Sequence, residues 1–106
     1  MDNFNVIYKI LRTLEAALDY DDFDPAEAIT PESLNITRSR FYALILMMVD
    51  EGYVKGVTRT ILMNHTAVNI SRMSITLKGL EYLHENSLMQ KVARAAKGIK
   101  DSIPGL

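Results

Sequence analysis

The chain has 106 residues, of which 48% are apolar and 24% charged, a composition that argues against wholesale disorder and fits one domain around one hydrophobic core. It contains no cysteine, which removes disulfides, thiolate metal sites, iron–sulfur clusters and a cysteine nucleophile. No apolar run reaches the roughly 18 residues of a membrane span, and Met1 to Asn5 lack the basic start of a secretory signal, so a soluble, cytoplasmic protein with no membrane partner is expected.

The net charge of −1 hides a division. Residues 1–32 carry two bases and eight acids, whereas residues 33–106 carry ten bases and five acids. An anionic partner is expected to prefer the later part of the chain, with plain compositional scatter as the alternative.

Val6, Ile7, Ile10, Leu11, Leu14, Ala17 and Leu18 recur at spacings of three and four, which predicts an amphipathic helix over 3–19. The run Asp19-Tyr20-Asp21-Asp22-Phe23-Asp24 resembles a calcium loop in composition only. From none of its aspartates does a glycine fall at the sixth position and a glutamate at the twelfth, so no calcium is expected. Asp24-Pro25-Ala26-Glu27 reads either as the start of a short helix or as an extended turn. Thr30-Pro31 repeats that start signal and leaves room for one or two turns before Asn35-Ile36.

A longer helix is expected to start at Thr37, with Phe41, Leu44, Ile45, Met48 and Val49 on one face and Gly52 ending it. From Tyr53 to Ile75 the composition turns to Val, Thr and Ile with interspersed bases, which predicts a strand pair with Asn64-His65-Thr66 at its tip. Thr76 caps a helix carrying Leu77, Leu80 and Leu83 and ending near Asn86, and Ser87-Leu88-Met89-Gln90 reads as the capping box of a last helix to residue 100. The order predicts an α+β winged helix-turn-helix: a first helix at 3–19, the motif over 30–52, a two-stranded wing over 53–75, a helix at 76–86 and an additional C-terminal helix at 87–100.

Three segments also carry a family resemblance: Asp50-Glu51-Gly52-Tyr53-Val54-Lys55-Gly56-Val57, the stretch Ile75 to Ser87 around Gly79, and Ala96-Lys97-Gly98-Ile99-Lys100-Asp101. They resemble the YjcQ family, small winged-helix proteins of Gram-positive bacteria and their prophages. The resemblance covers nearly the whole chain and is most specific around Gly79, while residues 58–74 do not contribute to it. It implies the fold and a prophage or mobile-element setting, and no biochemical activity.

In a winged helix-turn-helix the second helix of the motif enters the major groove and the wing touches the backbone or minor groove. On a helical wheel Ser39 and Ala43 point outward, Arg40 lies on a flank and Arg38 nearer the core edge. Arg40 is then the candidate for a guanine or phosphate contact, with Arg38, Ser39, Tyr42 and Ala43 beside it and Lys55, Arg59 and Arg72 on phosphates of double-stranded DNA. The alternative for Arg38 and Arg40 is a pair of solvated charges near a carboxylate such as Glu32.

The same wheel turns Leu46 and Met47 away from the core, with Asp50 opposite it, an apolar and partly acidic face poorly suited to phosphates. Three covers are open: the chain's own Leu88, Val92 and Ile99, a second subunit in a homodimer, or a foreign protein. A protein-interaction module without DNA binding is the competing function.

His65 and His84 have no metal-ligand spacing, the serines have no glycine-flanked elbow, and no glycine-rich loop joins a strand to a helix. No enzyme activity, metal or cofactor is expected, and no small-molecule substrate is evident.

Overall fold

In the computed structural model, which describes residues 2–87, helices come first and short antiparallel strands follow, an α+β arrangement. Helix α1, Asn3–Ala16, starts where the Asp2 carboxylate accepts the Asn5 N–H at 2.8 Å, satisfying one of the donors that a helix start leaves without an internal partner. Its Val6, Ile10, Leu11 and Leu14 are buried. The chain then tightens into a 3₁₀ turn, Ala17–Asp19, with about three rather than about 3.6 residues per turn. That change of pitch carries Leu18 off the buried stripe and into solvent, where the sequence pattern had it on the core face.

Two single-turn helices follow. Helix α2, Pro25–Ala28, is capped by Asp24, whose carboxylate accepts the Ala26 N–H at 2.9 Å, so the helical reading of this stretch holds over the extended one. Helix α3, Pro31–Leu34, has a reciprocal cap: the Thr30 hydroxyl accepts the Ser33 N–H at 3.0 Å and the Ser33 hydroxyl accepts the Thr30 N–H at 3.1 Å. Asn35, left-handed at φ 55°, turns the chain out of α3, and Thr37 caps helix α4, Arg38–Asp50, by accepting the Arg40 N–H at 3.1 Å. Gly52 at φ +80° closes α4. The Gly52 N–H donates to the Val49 carbonyl at 3.0 Å and the Tyr53 N–H to the Met48 carbonyl at 2.9 Å, the two bonds of a Schellman motif.

The expected strand pair is two ladders rather than one. Strand β1, Val54–Lys55, pairs with β4, Ser74–Ile75; strand β2, Thr58–Ile61, pairs with β3, Thr66–Asn69. Between them Gly56, at φ +81°, lies so close to Arg72 that an added Cβ would overlap the Arg72 carbonyl oxygen and sit 2.9 Å from its carbon. On the other strand the Asn69 side chain accepts the Ser71 N–H at 2.8 Å and the Ser71 hydroxyl at 2.7 Å, bending the chain through residues 70–73. The hairpin tip is Met63-Asn64, closed by the Leu62 N–H donating to the His65 carbonyl at 2.8 Å, so Thr66 belongs to β3 rather than to the tip.

Residues 77–87 form helix α5, started by the Thr76 hydroxyl, which accepts the Gly79 N–H at 3.1 Å and donates to the Gly52 carbonyl. Asn86 and Ser87 are helical, and the end of α5 expected near Asn86 falls at the limit of the described residues. The Asn86 amide donates back to the Tyr82 carbonyl at 2.8 Å, and the Ser87 and Tyr8 hydroxyls are hydrogen-bonded at 3.0 Å. The helix expected over 87–100, with Leu88, Val92 and Ile99, lies outside the described residues.

Helix α1 packs across α4 and β4, and α4 packs on β1. Their buried side chains meet in one core with Phe41, Ile45 and Met48 near its centre and Ile29, Leu34, Val54, Ile75 and Leu83 around it. Deleting an aromatic ring such as Phe41 from a core of this kind costs about 3–5 kcal/mol. The Tyr53 and Tyr82 rings lie against each other at 4.9 Å between centroids, and burial pushes the Tyr82 hydroxyl pKa up, with Tyr53 and Asp2 adding to the shift. Among the described residues no helix is long and apolar enough to cross a membrane.

Candidate nucleic-acid interface

Because Phe41, Leu44, Ile45 and Met48 fill the core, the opposite face of α4 meets solvent with Ser39, Arg40, Ala43, Met47 and Asp50. Leu46 is half-buried, and Met47 is 57% exposed. The exposed face is basic at its N-terminal end, small and apolar in the middle, and acidic at its C-terminal end.

Arg38 is exposed, but its guanidinium sits 5.6 Å from the centroid of the Tyr42 ring. Tyr42 is half-buried against the core, edge-on to Phe41 at 5.2 Å. It thus lies between Arg38 and the core. Glu32 and Arg38 line one cleft of about 300 Å³ with Tyr42 and Asn69. Among the described residues neither Arg38 nor Arg40 forms an ion pair.

Arg59 has a partner that the sequence reading did not give it. It leaves β2 to meet Asp50 on α4, with Nη2 and Oδ1 3.3 Å apart, so its first partner is a carboxylate of the same chain. No local sequence pattern joins Asp50 to a residue nine positions on in a strand. The pair brings the start of the β2–β3 hairpin beside the C-terminal end of α4. Lys55 is exposed on β1 opposite Ser74, and Arg72 is exposed in the bend between β3 and β4.

Charge along the ribbon is one-sided. Residues 52–80 hold Lys55, Arg59, Arg72 and Lys78, with His65 at the turn, and no Asp or Glu. Lys78 rests over the Tyr53 ring at 5.8 Å.

The hairpin tip holds what sequence reasoning missed. Ile61 is 86% exposed, Met63 is fully exposed, and Leu62 between them is nearly half exposed. Every residue of β2 is exposed, so this is not a core strand. The available signal was Ile61-Leu62-Met63 breaking the alternation of a polar ribbon directly before its turn.

These elements define a small α+β protein in which a capped helix and an acid-free hairpin border one surface. The family model described as YjcQ protein matches residues 8–102, and the chain belongs to that family. Comparison with curated proteins and with solved structures finds no match.

Proposed function

We propose that the chain is a winged helix-turn-helix protein that binds double-stranded DNA in a regulatory role, in the cytoplasm and in a prophage or mobile-element setting. In this reading α3 and α4 are the two helices of the motif, the bend at Asn35 is their turn, and the β2–β3 hairpin is the wing. The observation that carries it is the contact of Arg59 with Asp50. It makes the hairpin and the exposed face of α4 neighbours on one surface, with Arg40 about 15 Å along the helix axis at the other end.

The first turn of α4 would enter the major groove, with Arg40 and Ser39 facing base edges or phosphates and Arg38 held on Tyr42 at the rim. Lys55 and Arg72 would meet phosphates directly. Arg59 would stay on Asp50 in the complex and would reach a phosphate oxygen only once that carboxylate is removed. This function requires no cofactor, metal, small-molecule substrate or catalysis.

Titration of a labelled mixed-sequence duplex of about 30 base pairs from low to physiological salt tests the reading. Affinity that falls steeply with salt and depends on Arg40 supports it, and no binding at low salt rejects it. The exposure of Met47 beside half-buried Leu46 favours a second reading, a homodimer or partner-protein surface on the same face. A dimeric mass in solution without DNA affinity would select it.

A further inference from the structure

The α4 face and the basic ribbon do not explain the end of the hairpin. Ile61 and Met63 stand in solvent with Leu62 between them, at a two-residue turn, on a strand none of whose residues is buried. Apolar side chains so placed contribute nothing to this chain's core. We infer that the Ile61-Leu62-Met63 tip is a wedge for the minor groove of double-stranded DNA, entering beside a base step and partly unstacking it. The inference rests on the DNA-binding reading above and names how the wing would engage.

Reach, width and charge favour this occupant. From Thr58 to Met63 an extended strand spans about 17 Å. That is about half of the roughly 34 Å helical repeat of DNA, the distance from one groove to the next. A hairpin anchored beside α4 at Arg59 and Asp50 is therefore long enough for its tip to reach the minor groove next to a helix lying in the major groove. Two paired strands lie about 4.8 Å apart, so only the turn and its flanking side chains fit a groove about 6 Å wide. The ribbon behind the tip has bases and no carboxylate, so it approaches phosphates without repulsion. Apolar side chains inserted this way kink duplexes by about 20–90°.

The test uses the full chain and a duplex of about 30 base pairs with a central TA step, the kind most easily kinked, carrying dyes at its ends and 2-aminopurine beside the step. Saturating wild-type protein is expected to raise both end-to-end energy transfer and 2-aminopurine fluorescence. Ile61→Ser with Met63→Ser should bind several-fold more weakly with an unchanged salt slope, because no phosphate contact is lost, and should leave both signals near those of free DNA. Its melting temperature should match wild type, since the tip lies outside the core.

Wild-type binding with both signals flat overturns the wedge and leaves DNA binding intact, as does a double variant that distorts the duplex as wild type does. Absence of any binding at low salt rejects the DNA reading and the wedge together. Tip-dependent binding to phosphatidylserine vesicles, or tip-dependent dimerisation, with an undistorted duplex assigns the tip to a membrane or to a second copy and overturns the wedge.

Discussion

Replacing Asp50 by asparagine is expected to strengthen DNA binding by a little over tenfold while leaving the fold almost untouched. Asp50 and Arg59 are 45–71% exposed, and a pair in that setting contributes about 0.2–1 kcal/mol to stability. Part of even that loss is offset, because a carboxylate in the last turn of α4 opposes the helix dipole by about 0.3–1 kcal/mol. On DNA the freed guanidinium gains a phosphate. One added phosphate contact steepens the dependence of log K on log salt by about 0.9, which at 0.1 M salt amounts to about eightfold in affinity. Removing the carboxylate also removes repulsion from the backbone, about 0.6 kcal/mol for charges roughly 7 Å apart in water. Screening at physiological ionic strength reduces that to less than half, a further factor of about 1.5. Fluorescence anisotropy over a salt series reads both numbers. Unchanged or weakened affinity would mean that the Asp50 and Arg59 end of the surface does not face DNA, and stronger binding at an unchanged slope would take Arg59 off the phosphates.

Arg40→Ala is expected to weaken duplex binding about tenfold and to flatten the salt slope by about one, with a melting temperature within a few degrees of wild type, because the side chain is exposed and the Thr37 cap uses only its backbone N–H. Gly79→Ala sets two effects against each other. Helix propensity favours alanine by about 1 kcal/mol. The new Cβ, however, would overlap the Tyr53 carbonyl oxygen and lie 2.7 Å from Ile75 Cγ1, which costs about 1–3 kcal/mol of repacking, so a lowered urea midpoint is expected and a raised one would show that α5 has room to move. Thr76→Val should cost about 1–2 kcal/mol by removing both the α5 cap and the bond to Gly52, and Thr76→Ser should restore most of it; equal midpoints for the two variants would assign the hydroxyl no role.

What was legible in the sequence is what short-range chemistry decides. Thr30, Thr37 and Thr76 announce their helices because a cap needs only its own hydroxyl and a backbone N–H three residues on. Gly52 announces the end of α4 because the left-handed position there excludes most other residues. The buried faces of α1 and α4 follow from spacing alone, as far as Leu18, where a change of helical pitch invisible in the apolar pattern reverses the outcome. The ribbon was legible as strand but not as two ladders, since its interruption depends on Gly56 meeting Arg72 across the pair. The exposure of Arg40 was legible from the helical wheel, and the pairing of Arg59 was not, because its partner lies on another element. Ser87 shows the same limit: nothing in its sequence context announces the contact of its hydroxyl with Tyr8, 79 residues earlier.

The double break in the ribbon divides labour within the chain. Inside it, the short β1–β4 rung seats Val54 and Ile75 in the core and holds α5 against the body; outside it, β2 contributes no buried side chain. The outer hairpin can therefore open and close at a small fraction of the free energy that protects the core amides. Its loop and β2 side chains can be exchanged wholesale without repacking a single core contact. A scaffold built this way can be re-aimed at a different target by rewriting a few surface positions, and the cost of that retargeting never reaches the part of the molecule that has to fold.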